Sequence, residues 1–150
     1  MENFPSSEEL AFAKDCSQLH VLREKVEAYL EKLPLDSKRK MRMVLCVDEA
    51  AANIMEHGEA IKEDEVLSFW VTICCENGFV KVVFKDNGKP FDPTQAPLVN
   101  LKKHLLSGKE GGLGIYIMRV NLDIFDYERT DDHHNLFTLG MSLAGRTKDV

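Results

Sequence analysis

Glu49 and Asn53 stand four residues apart in the stretch "CVDEAAANIMEHG" (46–58). In a helix that spacing stacks both side chains on one face. A carboxylate placed there can take a proton from a hydroxyl or a water. A side-chain amide oxygen is a hard ligand suited to Mg2+. Arg42 and Cys46 precede the pair on the same side, and Glu56 and His57 follow one turn on. Ala50, Ala51 and Ala52 keep the neighbouring helix surface low, so a bulky ligand can lie against it.

Two further stretches carry possible chemistry. In "FKDNGKPFDP", Asp86 closes an apolar strand and precedes Asn87-Gly88. A strand-end carboxylate can accept a hydrogen bond from an exocyclic amine such as that of adenine, and Gly88 lets a flat ring come close to the backbone. In "GKEGGLGIYIMR", Gly111, Gly112 and Gly114 fall at a helix start. Free N–H groups and the positive end of the helix dipole favour phosphate at such a place. The cluster fits neither the Walker pattern nor the dinucleotide-binding fingerprint, since no Gly-Lys-Ser/Thr follows it and no strand directly precedes it. Taken singly, each stretch also fits an ordinary role: a solvated helix face, a D-N-G turn, a glycine turn.

The elements that must hold these residues can be read from periodicity. "EELAFAKD" reads as a first edge strand. "SQLHVLREKVEAYLEKLP" reads as a helix with Leu22, Val26, Tyr29 and Leu33 on its apolar side, Ser17 as its N-cap and Pro34 as its stop. Asp36 caps a second helix running to about His57, with Met43, Val47, Ala50 and Ile54 as its buried stripe. "EVLSFWVTICCE" and "GFVKVVFKD" form a hairpin about Asn77-Gly78. Residues 87–110 show few regular signals, and a loop of that length in a compact domain is usually functional or disordered. The glycine-led third helix follows, and "FDYERTDDHHNLFTLGMSL" reads as a closing hairpin with a polar turn at 130–135. The order βααββ–loop–αββ is an α+β layout, with helices on one face of a mostly antiparallel sheet.

Composition excludes several classes. A chain of 150 residues with 44% hydrophobic content fits one domain with a single core. The formal charge of −6 argues against a nucleic-acid partner. No basic amphipathic stretch or long apolar run suggests a membrane, and the acidic start "MENFPSSEEL" lacks a signal-peptide core. Cys16, Cys46, Cys74 and Cys75 have neither disulfide-framework nor zinc spacing, and read as reduced core residues of a cytoplasmic protein. His133-His134 in a polar turn is a poor start for a tetrahedral metal site.

Together, in this order, the three stretches resemble the N, G1 and G2 boxes of the GHKL ATPase/kinase superfamily, whose ATP-binding domain is the Bergerat fold. Within it the chain is similar to the small anti-sigma-factor serine kinases of the RsbW and SpoIIAB type. EAAAN (49–53) followed by His57-Gly58 matches the N box, DNGKPFDP (86–93) the G1 box, and GGLGIYI (111–117) the G2 box. The resemblance covers nearly the whole chain. It implies a two-layer α/β sandwich of the Bergerat type over 1–150, with a mostly antiparallel mixed sheet and three helices on one face.

The implied roles follow the boxes. Glu49 is the general base and Asn53 holds Mg2+ against the triphosphate. Asp86 binds the adenine amine, with Gly88 beneath the ring and Pro90 in the same box. Gly111, Gly112 and Gly114 with Ile115 form the phosphate-side box. Residues 98–110 are the ATP lid, in which Lys102, Lys103 and Lys109 can reach phosphates, although none belongs to a box. Arg23 aligns with a partner-contacting arginine of a relative. The implied function is ATP- and Mg2+-dependent phosphorylation of a serine on a STAS-type anti-sigma-factor antagonist, together with sequestration of a sigma factor, by a homodimer. An ATP-gated binding module without transfer and a stressosome-type switch kinase share these boxes. A histidine-kinase catalytic domain and a gyrase- or Hsp90-like ATPase fit less well, because 150 residues leave no room for their additional domains.

Overall fold

A computed structural model of the chain describes residues 5–13, 16–95, 103, 106 and 113–144. Five strands form one sheet: β1 (Glu8–Ala13), β2 (Ser68–Glu76), β3 (Phe79–Asp86), β4 (Ile124–Arg129) and β5 (Asn135–Ser142). Their spatial order is β1-β2-β3-β5-β4, and every pairing is antiparallel. The expected mostly antiparallel sheet therefore has no parallel pair among the described residues. Three α-helices have described bounds: α1 (Leu19–Glu31), α2 (Ser37–His57) and α3 (Gly114–Asn121). The element order is the one that periodicity indicates, because each strand alternates and each helix carries an apolar stripe.

The inward face of the sheet supplies Phe69, Val71, Ile73, Val80, Val82, Phe84, Phe137, Leu139 and Met141, all buried. The expected helix stripes meet it: Leu22, Val26, Tyr29 and Leu33 from α1 with its C-terminal turn, and Met43, Val47, Ala50 and Ile54 from α2. Phe12, Phe69 and Phe84 stack in a row across β1, β2 and β3, with ring centroids 5.2 and 6.4 Å apart. Each fully buried side chain of this kind contributes about 1.5–3 kcal/mol. Packing, not helix propensity, thus holds the helices on the sheet.

Local signals explain the element ends. The β2–β3 turn has positive φ at Asn77 (53°) and Gly78 (82°), the conformation of a two-residue hairpin whose twist matches its strands. The Asp36 carboxylate accepts the Arg39 N–H at 2.9 Å and caps α2. The start of α1 differs from the sequence expectation. A single 3-10 turn, Cys16–Gln18, precedes it, and the N-cap is Gln18, with no side-chain cap bond, in place of Ser17. Lys103 and Leu106 are helical and exposed, so part of the stretch read as irregular is not. Its run "LKKHLL" consists largely of good helix formers between Pro97 and Gly108.

Because α2 carries both Glu49 and Asn53, its start matters to the site. Asp36→Ala should lower unfolding stability by about 1 kcal/mol, read as a shift of the urea midpoint at unchanged slope.

Candidate functional site

The polar stripe of α2 faces the beginning of α3. Glu49, Ala52, Asn53, Glu56 and His57 line a cavity of about 200 Å³ together with Leu113, Gly114 and Ile115. The structure thus brings together Glu49, Asn53, Gly114 and Ile115. The approach is very close at one point. A Cβ built on Gly114 would lie 2.5 Å from Glu49 Oε2 and 3.3 Å from Glu49 Cδ, so no side chain fits there without displacing the carboxylate. The first turn of α3 has no side-chain cap bond. Its leading N–H groups, which no intrahelical carbonyl can satisfy, open beside the same cavity.

Ala50 is fully buried, as its place in the apolar stripe requires, but Ala51 is fully buried as well, and only Ala52 lines the cavity. Two of the three small residues therefore let α2 pack closely on its neighbours. Cys46 is fully buried, as the reading of a reduced core cysteine expects, with Sγ 4.0 Å from the Ile117 carbonyl of α3; it does not join the polar face on which its spacing also set it.

Burial pushes the Glu49 carboxyl above its ordinary value of 4.5, and the charges of Asp48 and Glu56 push it the same way. Asn53 Nδ2 is buried and has no hydrogen-bond partner among the described residues. Nδ2 is a donor, so an acceptor such as a phosphate oxygen or a water completes it. The other end of the same amide, Oδ1, with the nearby Glu49 carboxylate, is suited to a hard cation carrying that phosphate. No three His, Cys, Asp or Glu side chains group for a metal among the described residues. A divalent ion here would take most of its ligands from phosphate and water, as Mg2+ usually does.

Asp86, the first residue of the G1 box, is buried at the end of β3 and paired across the sheet with Asn135 of β5. It does not line the cavity of Glu49 and Asn53. Its Oδ1 accepts the Gly88 N–H at 2.9 Å and the Asn135 Nδ2–H at 2.8 Å. Gly88 bridges Ala60, and the Lys89 N–H donates to the Glu59 carbonyl at 2.8 Å, so the G1 turn is stitched to the chain leaving α2. A Cβ on Gly88 would meet Leu67 at 2.8 Å and the Glu59 carbonyl at 2.9 Å. The space that Gly88 frees is thus filled by the protein itself. His57 stacks on Phe91, ring centroids 5.6 Å apart, which joins the end of the N box to the G1 box a second time. Pro90 is exposed and lines a separate cavity with Lys89 and Arg129.

Sequence reasoning missed the support behind Asp86. Tyr127 donates to Asn135 Oδ1 at 2.6 Å, and Arg129 donates to the same oxygen at 3.0 Å and to the Gly88 carbonyl at 2.8 Å. Burial pushes the Tyr127 phenol up, which keeps it a donor. The available signal was Asn135 standing in register with Phe137, Leu139 and Met141, a polar residue in an inward row. Arg23 is half exposed and pairs with Asp48, Nη2 to Oδ2 at 2.9 Å, one residue before Glu49. Gly111, Gly112, Lys102 and Lys109 lie outside the described residues, as does most of the expected lid. The His133-His134 turn sets His134 Nδ1 2.9 Å from the Asp132 carbonyl, and no metal cluster forms there among the described residues.

A family model for the histidine kinase-like ATPase domain matches residues 12–140. The chain belongs to the histidine kinase-like ATPase domain family. ATP is accordingly the ligand of a domain of this family, and the GHKL relationship expected from the three boxes holds. Among characterised relatives, the chain is 30% identical over 100 residues to the serine/threonine-protein kinase BtrW of Bordetella bronchiseptica, covering 67% of this chain and 69% of that one. The fold is shared with the crystal structure of the RsbU and RsbW domains of Rv1364c from Mycobacterium tuberculosis, at a TM-score of 0.60 and 12% identity. That alignment covers 92% of this chain but 32% of the other, so this member of the family spans about a third of the larger protein. No helix among the described residues is long and apolar enough to cross a membrane.

The contact between Gly114 and Glu49 can be tested directly. Gly114→Ala should retain a cooperative unfolding transition and weaken ATP binding at least about tenfold, roughly 1.4 kcal/mol. Calorimetry reads this, and an unchanged affinity would place the triphosphate elsewhere.

Proposed function

We propose that the chain is an ATP-dependent serine/threonine protein kinase of the anti-sigma-factor type. Its acceptor is a serine of a STAS-type antagonist, and a sigma factor is its second partner. The observation that carries the reading is Glu49, a carboxylate made more basic by burial, beside Asn53 and the open first turn of α3. Nucleotide binding alone does not need a base at that position. The relative named as a serine/threonine-protein kinase points the same way.

In this reading the acceptor hydroxyl approaches Glu49, which takes its proton as the oxygen forms a bond to the γ-phosphorus. The bond from that phosphorus to the bridging oxygen breaks, and ADP leaves with the electron pair. Positioning and charge neutralisation dominate such a transfer. Within the cavity the described lining residues include Glu49 and Glu56 but no Lys or Arg. A like-charge contact at 4 Å costs about 4 kcal/mol at an effective dielectric constant near 20. A polyphosphate therefore needs a cation to settle there. Mg2+ at the Asn53 amide would neutralise the phosphate oxygens. The α3 N–H groups of Gly114 and Ile115, with Gly111, Gly112 and Lys109 of the same stretch, complete the phosphate side. At the other end Asp86 accepts the adenine amine, with Gly88 and Pro90 forming the turn beside the base.

Arg23 is assigned to the partner surface. A partner carboxylate drawn to it would compete with Asp48, the neighbour of Glu49 in the chain, so partner contact and the base lie close together. A cytoplasmic homodimer is the proposed assembly.

The direct test is transfer from labelled ATP to purified STAS-domain proteins. Glu49→Gln should abolish transfer to serine and leave ATP binding within a fewfold; equal rates for variant and parent would remove Glu49 from the chemistry. Because folding raises this pKa, ionising Glu49 opposes folding above it. The same variant should therefore melt no lower than the parent at neutral pH. The parent's transfer rate should fall as pH drops through a value above 4.5, where the base becomes protonated. Asn53→Ala should weaken Mg-ATP binding and leave a feeble metal-free binding unchanged, as calorimetry with and without Mg2+ would show. Unchanged Mg-ATP affinity would exclude Asn53 as the ion's ligand.

A further inference from the structure

Among the described residues two polar side chains are buried, Asp86 and Asn135, and they are hydrogen-bonded to each other. Asn135 takes an inward position of β5 where Phe137, Leu139 and Met141 continue the row. A buried polar residue in an apolar row is the informative exception.

We propose that Asn135 is a positioning residue that fixes Asp86 as a one-sided acceptor and so makes the nucleotide site select a 6-aminopurine over a 6-oxopurine. This rests on the reading of Asp86 as the group that meets the base.

All four hydrogen-bonding capacities of the Asn135 amide are used. Both Nδ2 hydrogens are spent, on Asp86 Oδ1 and on the Lys89 carbonyl, each at 2.8 Å. Both Oδ1 lone pairs are spent, on Tyr127 Oη and Arg129 Nη1. A flipped amide would set oxygen against two acceptors and nitrogen against the Arg129 guanidinium, which can only donate, so its orientation is determined by its neighbours. Arg129 also holds the Gly88 carbonyl, and thus fixes the G1 turn and the Asn135 amide with one guanidinium.

The consequence falls on Asp86. Its Oδ1 receives two N–H donors, from Gly88 and Asn135, and no hydrogen bond reaches its Oδ2 among the described residues. Rotating the carboxylate would break two buried hydrogen bonds. The group therefore presents one oxygen, in one direction, able only to accept. A 6-amino group donates to it, whereas a 6-oxo group sets acceptor against acceptor and leaves both unpaired. Unpaired buried polar groups are what make such a site discriminate. Asn135→Asp keeps the shape but exchanges the donor facing Asp86 for an acceptor. Two carboxyl groups at that distance share a proton or move apart, and the fixed acceptor is lost.

The experiment measures dissociation constants of the full chain for Mg-ATP and Mg-ITP, which differ at the base in the 6-amino and 6-oxo groups. The parent should prefer ATP at least about tenfold. Asp86→Asn and Asn135→Asp should each bring the two affinities to within about threefold, ATP losing most. If Asp86→Asn keeps the parent's ratio, the reading of Asp86 fails and the inference fails with it. If Asp86→Asn collapses the ratio and a folded Asn135→Asp keeps it, Asn135 is only structural and this inference alone is overturned. Should Asn135→Asp not fold, Tyr127→Phe removes one of the two donors that hold the amide. It should reduce the ratio severalfold, and an unchanged ratio overturns the inference.

Discussion

The cavity exists because the first turn of α3 reaches α2 at Gly114, where even one added carbon would sit 2.5 Å from the Glu49 carboxylate. That approach sets three properties at once. It sets the uncapped N–H groups of α3 beside a carboxylate and an amide. It takes Glu49 partly out of water, which raises its basicity. It lies beside Asn53, whose Nδ2 is buried with no hydrogen-bond partner among the described residues. A larger residue at position 114 would fill the space and push Glu49 aside. The glycine therefore acts here less as a phosphate contact than as the absence that lets two elements share a site.

The two halves of the proposed site are held by different physics. Around Glu49 and Asn53 the cavity is acidic and incompletely satisfied, a state that favours a bound cation with phosphate. Around Asp86 nearly every polar group is paired, through Asn135, Arg129, Tyr127 and the backbone of Gly88 and Lys89. In the proposed function one half is completed by ligand, and the other is fixed before ligand arrives. Such preorganisation would lower the ordering cost of binding at the proposed base end and leave adjustment to the phosphate end. The connection between them is the short chain after α2, pinned by the Ala60–Gly88 bridge and the stack of His57 on Phe91.

Much of this was legible in the sequence because strand and helix periods are strong signals. The apolar stripes of α1 and α2, the Asn77-Gly78 hairpin and the order of elements along the chain follow from side-chain periodicity and turn chemistry alone. Glu49 and Asn53 were visible by their spacing, since four residues return a helix to the same face. Ala51 misled, because sequence records that a residue is small but not whether ligand or protein fills the space beside it. Ala51 is buried in the core, and the space freed at Gly88 is taken by Leu67 and the Glu59 carbonyl. Asn135 was read as part of a polar turn because its meaning depends on Asp86, forty-nine residues away. Such long-range pairs are set by sheet register, which local patterns do not encode.

The most direct measurement is a crystal structure of the chain with Mg2+ and a non-hydrolysable ATP analogue. The expected result places the metal at about 2.1 Å from the Asn53 side-chain oxygen. It also places the phosphates against the first turn of α3 and the adenine amine on Asp86 Oδ2. A nucleotide bound elsewhere, or a metal held without Asn53, would contradict the account.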